Sequence, residues 1–204
     1  MYIAIICIIA YFIGSISFSV IFSRKFAGVD VREKGSGNAG STNTLRVAGK
    51  KAAILTLICD ILKGVIAVLI PIIVVKFSNK ELNEDLLKYL AGFFVILGHT
   101  FPIFFEFRGG KGVATALGVL ITLSPRIGLI CLAFAIVIIA ITRMVSVGSI
   151  LSAILYPILI IFGGYNFLTI MLSILIAALV IFNHRENIKR IKAGKENKLS
   201  FKSK

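Results

Sequence analysis

The chain has 204 residues, 58% of them hydrophobic, and a mean hydropathy of +0.99. That composition excludes a water-soluble domain and leaves an all-α bundle of membrane-spanning helices, with no length to spare for a second domain. The formal net charge of +14 points to an anionic membrane surface rather than to nucleic acid, because no groove-reading motif is present.

In chain order, the apolar runs predict about seven helices, at residues 2–22, 52–75, 86–105, 113–123, 127–142, 147–163 and 167–182. The first run lacks a basic start, is too long for a signal peptide, and is followed by Arg24 and Lys25, so it reads as a retained span. The second contains Asp60 and Lys63 at i, i+3; charge at that depth is costly unless paired, so an ion pair is expected. The fourth run covers only about 17 Å of a hydrocarbon layer about 30 Å thick. It either continues through the preceding glycines or pairs with the fifth as a shallow hairpin. Cys7, Cys59 and Cys131 all lie in apolar stretches and read as small hydrophobes, without zinc spacing.

Charge sets the orientation. With the N-terminus outside, most of the 23 lysines and arginines fall inside: those from Arg24 to Lys51, then Arg108, Lys111 and Arg143, then the tail from Arg185 to Lys204. The outer segments keep Lys76, Lys80, Lys88 and Arg126, with Glu81, Glu84 and Asp85 beside them. This satisfies the positive-inside rule and leaves the C-terminus cytoplasmic. Residues 1–204 are read as one membrane domain with a basic interfacial tail from about residue 189.

Three polar clusters interrupt this pattern, all on the inner side, where one cleft at the helix ends can collect them. The first is Gly35-Ser36-Gly37-Asn38-Ala39-Gly40-Ser41-Thr42-Asn43-Thr44-Leu45-Arg46. Glycines such as Gly37 and Gly40 let backbone N–H groups close on an anion. Ser36, Asn38, Thr42 and Asn43 add neutral hydrogen bonds, and Arg46 can grip a phosphate with two. Walker A spacing is absent, so nucleotide hydrolysis is not expected.

The second cluster starts at Gly98-His99-Thr100-Phe101-Pro102 and reaches Gly109-Gly110-Lys111-Gly112 at the start of a helix. Backbone donors, an ammonium and a helix N-terminus together favour an anion. His99, alone near a helix end, reads first as a structural hydrogen-bonder. In the third cluster His184 and Asn187 are spaced i, i+3 and share a face. Glu186 points elsewhere, towards Arg185, Arg190 or a basic loop. Ser146 and Ser149 open the sixth run, where they can cap the helix or donate to a phosphate. Carboxylates are too scarce for a metal cluster, so neither metal nor cofactor is expected.

Taken together, GSGNAGSTNTLR, GHTFPIFFEFRGGKGVAT and HRENIKR resemble the three motifs of the small bacterial acyl-phosphate:glycerol-3-phosphate acyltransferases, the PlsY family. That pattern is GSGNxGxTNxxR, GHxFPxFxxFxGGKGVAT and HRENIxR, and every motif position agrees. The resemblance implies transfer of a fatty acyl group from acyl phosphate to the sn-1 hydroxyl of glycerol 3-phosphate. The products would be lysophosphatidic acid and phosphate, made for phospholipid synthesis at the cytoplasmic face of a bacterial plasma membrane. The implied partners are glycerol 3-phosphate, long-chain acyl phosphate, the bilayer and a peripheral enzyme that makes acyl phosphate.

The residues suit that chemistry. Two phosphates in one site need cations, which Arg46 and Lys111 supply, and Ser36 can orient phosphate oxygens. Gly109, Gly110, Gly112, Ser149 and Glu186 complete the expected binding set. A base must take the hydroxyl proton: His184 with Asn187 is the first candidate, His99 the second and a substrate phosphate the third. No Ser/His/Asp triad is evident, so direct attack without an acyl-enzyme is expected. The alternative is a transporter or binding protein for a phosphorylated anion. It would repeat its halves and its basic residues would recur near the midplane, whereas the clusters gather on one face and no internal repeat is visible.

Overall fold

The computed structural model describes residues 1–78 and 81–199. Lys80, Lys202 and Lys204 of the charge argument lie outside the described residues. Among these residues the fold is all-helical, with nine α-helices and two 3₁₀ turns. Five helical segments are long and apolar enough to cross a bilayer: Tyr2–Ala27, Ser41–Lys76, Glu84–Phe105, Pro125–Thr142 and Val145–Phe162. A sixth is the pair Phe167–Asn183 and Arg185–Lys192, bent by 58°. The protein is an integral membrane protein, and apolar side chains such as Ile54, Ile73, Ile136 and Ile141 are exposed along its helices, where lipid covers them. The chain divides into two compact units, Met1–Ser124 and Pro125–Lys204.

In the first unit the run expected as one helix over 2–22 is two: α1 (Tyr2–Gly14) and α2 (Phe18–Ala27). The break has a physical cause deep in α3 (Ser41–Lys76), where Lys63 donates to the carbonyls of Gly14 at 3.0 Å and Ile16 at 2.9 Å. Those carbonyls are left without helical partners by the break, and a buried ammonium satisfies them. The same ammonium lies 2.9 Å from Asp60 Oδ1, so the expected ion pair forms, as a charge contact beside the directed bonds to the carbonyls.

Helix α3 also starts earlier than residue 52. It begins at Ser41, and Gly49 (φ 82°, ψ 179°) breaks it between the polar first turns and the apolar span. Ser41 to Arg46 is therefore helix, not loop.

Helix α4 (Glu84–Thr100) crosses α1 at closest approach, because a Cβ on Gly14 would strike the Val95 carbonyl and one on Gly98 the Tyr11 carbonyl. Helix α5 (Val113–Leu123) crosses α3 by the same device, through Gly64 and Gly118. Small residues at such crossings are how helices gain contact where lipid removes the hydrophobic drive. Helix α5 has 11 residues and is capped at its N-terminus by Gly112, whose φ of 81° ends any continuation through the preceding glycines.

In the second unit α6 (Pro125–Thr142) reverses into α7 (Val145–Phe162) through Arg143, a non-glycine residue at φ 58°. Gly148 packs on the Ala135 carbonyl and Ile139, and Ser152 donates to the Cys131 carbonyl at 3.0 Å. Helix α8 (Phe167–Asn183) packs on α7 and ends at His184, where α9 (Arg185–Lys192) begins.

Candidate active site

In the first unit the glycine-rich run is shaped by residues within and just before it. Asn43, 1% exposed, sits inside the turn: its Oδ1 accepts from Ser36 N at 2.9 Å, and its Nδ2 donates to the carbonyls of Val31 at 2.9 Å and Lys34 at 3.0 Å. All three of these bonds hold the turn. Asn43 thus shapes the loop, while Ser36 and Gly37 are exposed and Asn38 and Thr42 half-buried. Gly35 and Gly37 have φ of 61° and 71°, and a Cβ on Gly35 would collide with Asn43 Oδ1. Gly40 caps α3 without a side-chain bond, and its carbonyl accepts from Asn43 N and Thr44 N, both at 3.0 Å. The first N–H groups of α3, at Ser41 and Thr42, point at the end where an anion is favoured. Ser36 and Arg46 are exposed.

Beneath this turn Asp30 and Arg32 form a buried fork. Arg32 Nη2 lies 2.8 Å from Asp30 Oδ2, its Nε donates to Oδ1 at 3.0 Å, and Arg24 adds a bond to Oδ2 at 2.8 Å. The Arg32 hydrogen bonds hold the Asp30 carboxyl well below the usual carboxylate range, against its burial. Arg32 Nη1 reaches further, donating to the Phe105 carbonyl at 2.8 Å.

That bond ties the first cluster to the second. Val20, Val31 and Ala39 form a small core against Val47 and Phe105. Gly109 N donates to Thr100 O and Gly110 N to His99 O, both at 3.1 Å, so the segment before Lys111 folds back along the end of α4. A Cβ on Gly110 would meet His99 Nε2 and the Ala39 carbonyl, so only glycine lets the second cluster lie against both. His99 is buried with Nδ1 3.5 Å from Asp60 Oδ1, in the cluster that also holds Lys63. His99 therefore buttresses the Gly109-Gly110 backbone. Lys111, half-buried, and Gly112 follow at the start of α5.

In the second unit His184 is 2% exposed, with Nδ1 2.7 Å from the Val180 carbonyl. A carbonyl only accepts, so this bond places the proton of a neutral imidazole on Nδ1 and the lone pair on Nε2. Asn187, on the next turn, donates from Nδ2 to Glu196 Oε1 at 2.6 Å. Ser146 Oγ donates to the same oxygen at 2.9 Å, and Arg190 Nε to Oε2 at 2.9 Å. Burial pushes the Glu196 carboxyl up, but the bonds from Asn187, Ser146 and Arg190 outweigh it, and the group titrates below its ordinary value.

Two residues behave differently from expectation. Ser149 gives its hydroxyl proton to the Val145 carbonyl at 2.9 Å, so Ser146 is the serine that meets an anionic group here. Glu186 pairs with Lys189 at 3.0 Å on the exposed side of α9, not with Arg185, Arg190 or a loop base. Among the described residues, no three His, Cys, Asp or Glu side chains gather as a metal-binding set.

The sequence profile of the family described as glycerol-3-phosphate acyltransferase matches residues 4–194. The chain belongs to this acyltransferase family. It is 44% identical over 203 residues to the glycerol-3-phosphate acyltransferase of Thermoanaerobacter sp. (strain X514), covering 100% of this chain and 98% of that one. It is 46% identical over 200 residues to that of Clostridioides difficile (strain 630), covering 97% and 96%. Among solved structures it resembles PlsY, an integral membrane glycerol 3-phosphate acyltransferase, at 38% identity over 98% of this chain and 96% of that one. The TM-score is 0.87 for the glycerol 3-phosphate form and 0.85 for the lysophosphatidic acid form.

Sequence reasoning missed three residues that shape this acyltransferase's polar clusters. Asp30 and Arg32 carried a signal, an opposite-charge pair two residues apart just before a glycine-rich turn. Glu196 carried none: it sits in Gly194-Lys195-Glu196-Asn197-Lys198, which reads as a solvated basic tail.

Proposed function

We propose that this acyltransferase moves a fatty acyl group from acyl phosphate to the sn-1 hydroxyl of glycerol 3-phosphate, releasing lysophosphatidic acid and inorganic phosphate. The observation that carries the reading is the full-length likeness to PlsY, whose two forms carry the names of the acceptor and the product of such a transfer. The hydroxyl oxygen attacks the acyl carbonyl carbon, and the carbon–oxygen bond to phosphate breaks. Phosphate leaves with the bonding pair, and the hydroxyl proton passes to a base. Acyl phosphate is an activated donor, so the protein has mainly to position the partners and stabilise the developing oxyanion.

Arg46 and Lys111 offset the charge of the two phosphates. The α3 N-terminus with Ser36, Gly37, Asn38, Gly40 and Thr42 orients phosphate oxygens, and Gly109, Gly110 and Gly112 keep the Lys111 backbone open to them. His184 receives or orients the hydroxyl proton at Nε2, and the bond from Nδ1 to Val180 supports that assignment. The basic residues of the inner segments favour a cytoplasmic site in a bacterial plasma membrane. A peripheral enzyme supplies the acyl phosphate.

The test uses the purified protein in lipid without added metal. Radiolabelled glycerol 3-phosphate is supplied with palmitoyl phosphate in one tube and palmitoyl-CoA in another. Labelled lysophosphatidic acid in the first tube alone is expected; product only with palmitoyl-CoA would reject the donor. His184→Gln is expected to lower kcat by about 100-fold or more and to flatten the pH profile. Near-normal turnover with an unchanged profile would pass the proton to a substrate phosphate.

A further inference from the structure

We infer that Glu196 is a positioning residue for acyl transfer, a carboxylate of the C-terminal tail that fixes the direction in which Asn187 presents its amide. The inference rests on the reading of His184 and Asn187 as the pair that handles the acceptor hydroxyl.

The argument begins with what a carboxylate can do. It accepts hydrogen bonds and donates none, so the Asn187 side chain must turn Nδ2 towards it, as the 2.6 Å contact shows. The Oδ1 branch of the same planar amide is then carried to the opposite side as an acceptor. A substrate hydroxyl is a donor to such an oxygen. Without the carboxylate, the bond that turns Nδ2 towards the tail is lost, and an amide turned the other way presents N–H groups, which cannot accept that proton.

The placement of Glu196 is built rather than accidental. Its side chain is 4% exposed in a stretch that otherwise reads as solvated, and three donors from two helices converge on it: Asn187, Ser146 and Arg190. Leu199 N donates to the Arg143 carbonyl at 2.7 Å, tying the tail to the α6–α7 turn. The α9 helix is closed by Gly194 at φ 68°, which turns the chain back so that Glu196 returns to the helix it has just left. A charge buried at this cost needs all its partners, so the amide direction is fixed as firmly as the tail is.

The test compares purified full-length Glu196→Ala, Glu196→Gln and Asn187→Ala with the unaltered enzyme. Each substrate is varied at saturating concentration of the other, with thermal unfolding measured alongside. Glu196→Ala is expected to raise KM for glycerol 3-phosphate about tenfold while KM for palmitoyl phosphate stays within about twofold, and added formate should restore part of the loss. Glu196→Gln, whose carbonyl can still accept from Asn187, should fall between; it also serves as the test variant if Glu196→Ala does not fold. Equal losses for both substrates with no formate rescue would mean a merely structural tail and overturn the inference. So would unaltered kinetics in Glu196→Ala beside an impaired Asn187→Ala. A silent Asn187→Ala would instead overturn the hydroxyl reading beneath it.

Discussion

The glycine-rich turn at residues 35–40 and the turn at His184–Asn187 are each flanked in sequence by a buried carboxylate, but the two carboxylates come from opposite directions along the chain. Asp30 precedes its cluster and acts through Arg32 on a neighbouring backbone, the Phe105 carbonyl. Glu196 follows its cluster and accepts directly from a side chain within it, Asn187. The first device joins two main-chain segments, and the second turns the Nδ2 of one amide towards the tail. A backbone site tolerates no looseness over several residues and is braced by a network. A side-chain site needs one rotation controlled, and the carboxylate that controls it is itself held by Ser146 and Arg190.

The largest effect should come from breaking the first brace. Arg32→Ala leaves Asp30 with the backbone N–H of residue 32 and the largely exposed Arg24, and takes one of two donors from the Phe105 carbonyl, which keeps Arg108 N. Removing one partner of such a pair costs about 3 kcal/mol or more. Thermal unfolding in detergent should show a drop of several degrees, and Arg32→Lys, which keeps the charge but not the fork, should recover only part of it. A midpoint unchanged in Arg32→Ala would mean that the fork does not brace the link between the first two clusters.

Next in size is Asn43. Replacement by Ala leaves Ser36 N and the Val31 carbonyl without that partner and takes one of two donors from the Lys34 carbonyl, which keeps Gly37 N, at about 2 kcal/mol. Asn43→Asp should be worse than Asn43→Ala, although it is closer in shape. A carboxylate oxygen would face the Val31 and Lys34 carbonyls where an N–H₂ now donates. Unfolding midpoints of the two variants decide this, and the reverse order would show that the amide is not oriented as described.

The difference between the clusters also explains what was legible from the sequence. The apolar runs located the hydrophobic segments, because lipid demands long apolar runs whatever their packing, but of the seven expected spans five, or six with the bent pair, are long and apolar enough to cross among the described residues. They missed the break at Ser15–Ser17, since the partner that satisfies the broken backbone, Lys63, lies 49 residues from Gly14. They also placed the start of α3 too late, because Ser41 to Arg46 is polar and helical at once, and hydropathy sees only the polarity. The glycines of the first two clusters were visible as a motif, yet their reasons are tertiary: Gly110 is needed because His99 and Ala39 lie against it. Glu196 was the hardest to read. Nothing in a lysine-rich tail distinguishes a carboxylate that folds back from one that stays in solvent.

The smallest effect is a pH dependence that separates the two braces in one experiment. Both carboxyls are depressed in the folded protein, from ordinary values of 3.8 for Asp30 and 4.5 for Glu196. A depressed carboxyl contributes stability that is fully present above its unfolded value and is lost as pH falls through the folded one. Between pH 7 and 5 neither brace should therefore change, and amide exchange in residues 29–48 and 184–199 should stay flat after correction for intrinsic rates. Below pH 4.5 the order should show. Glu196 is opposed by its own burial and starts higher, so the tail should gain exchange first. Asp30 has the Arg32 fork as its leading influence, with Arg24 adding to it, so the 29–33 segment should hold to more acid conditions. Release of the first turn before the tail would invert the comparison and make Glu196 the stronger brace.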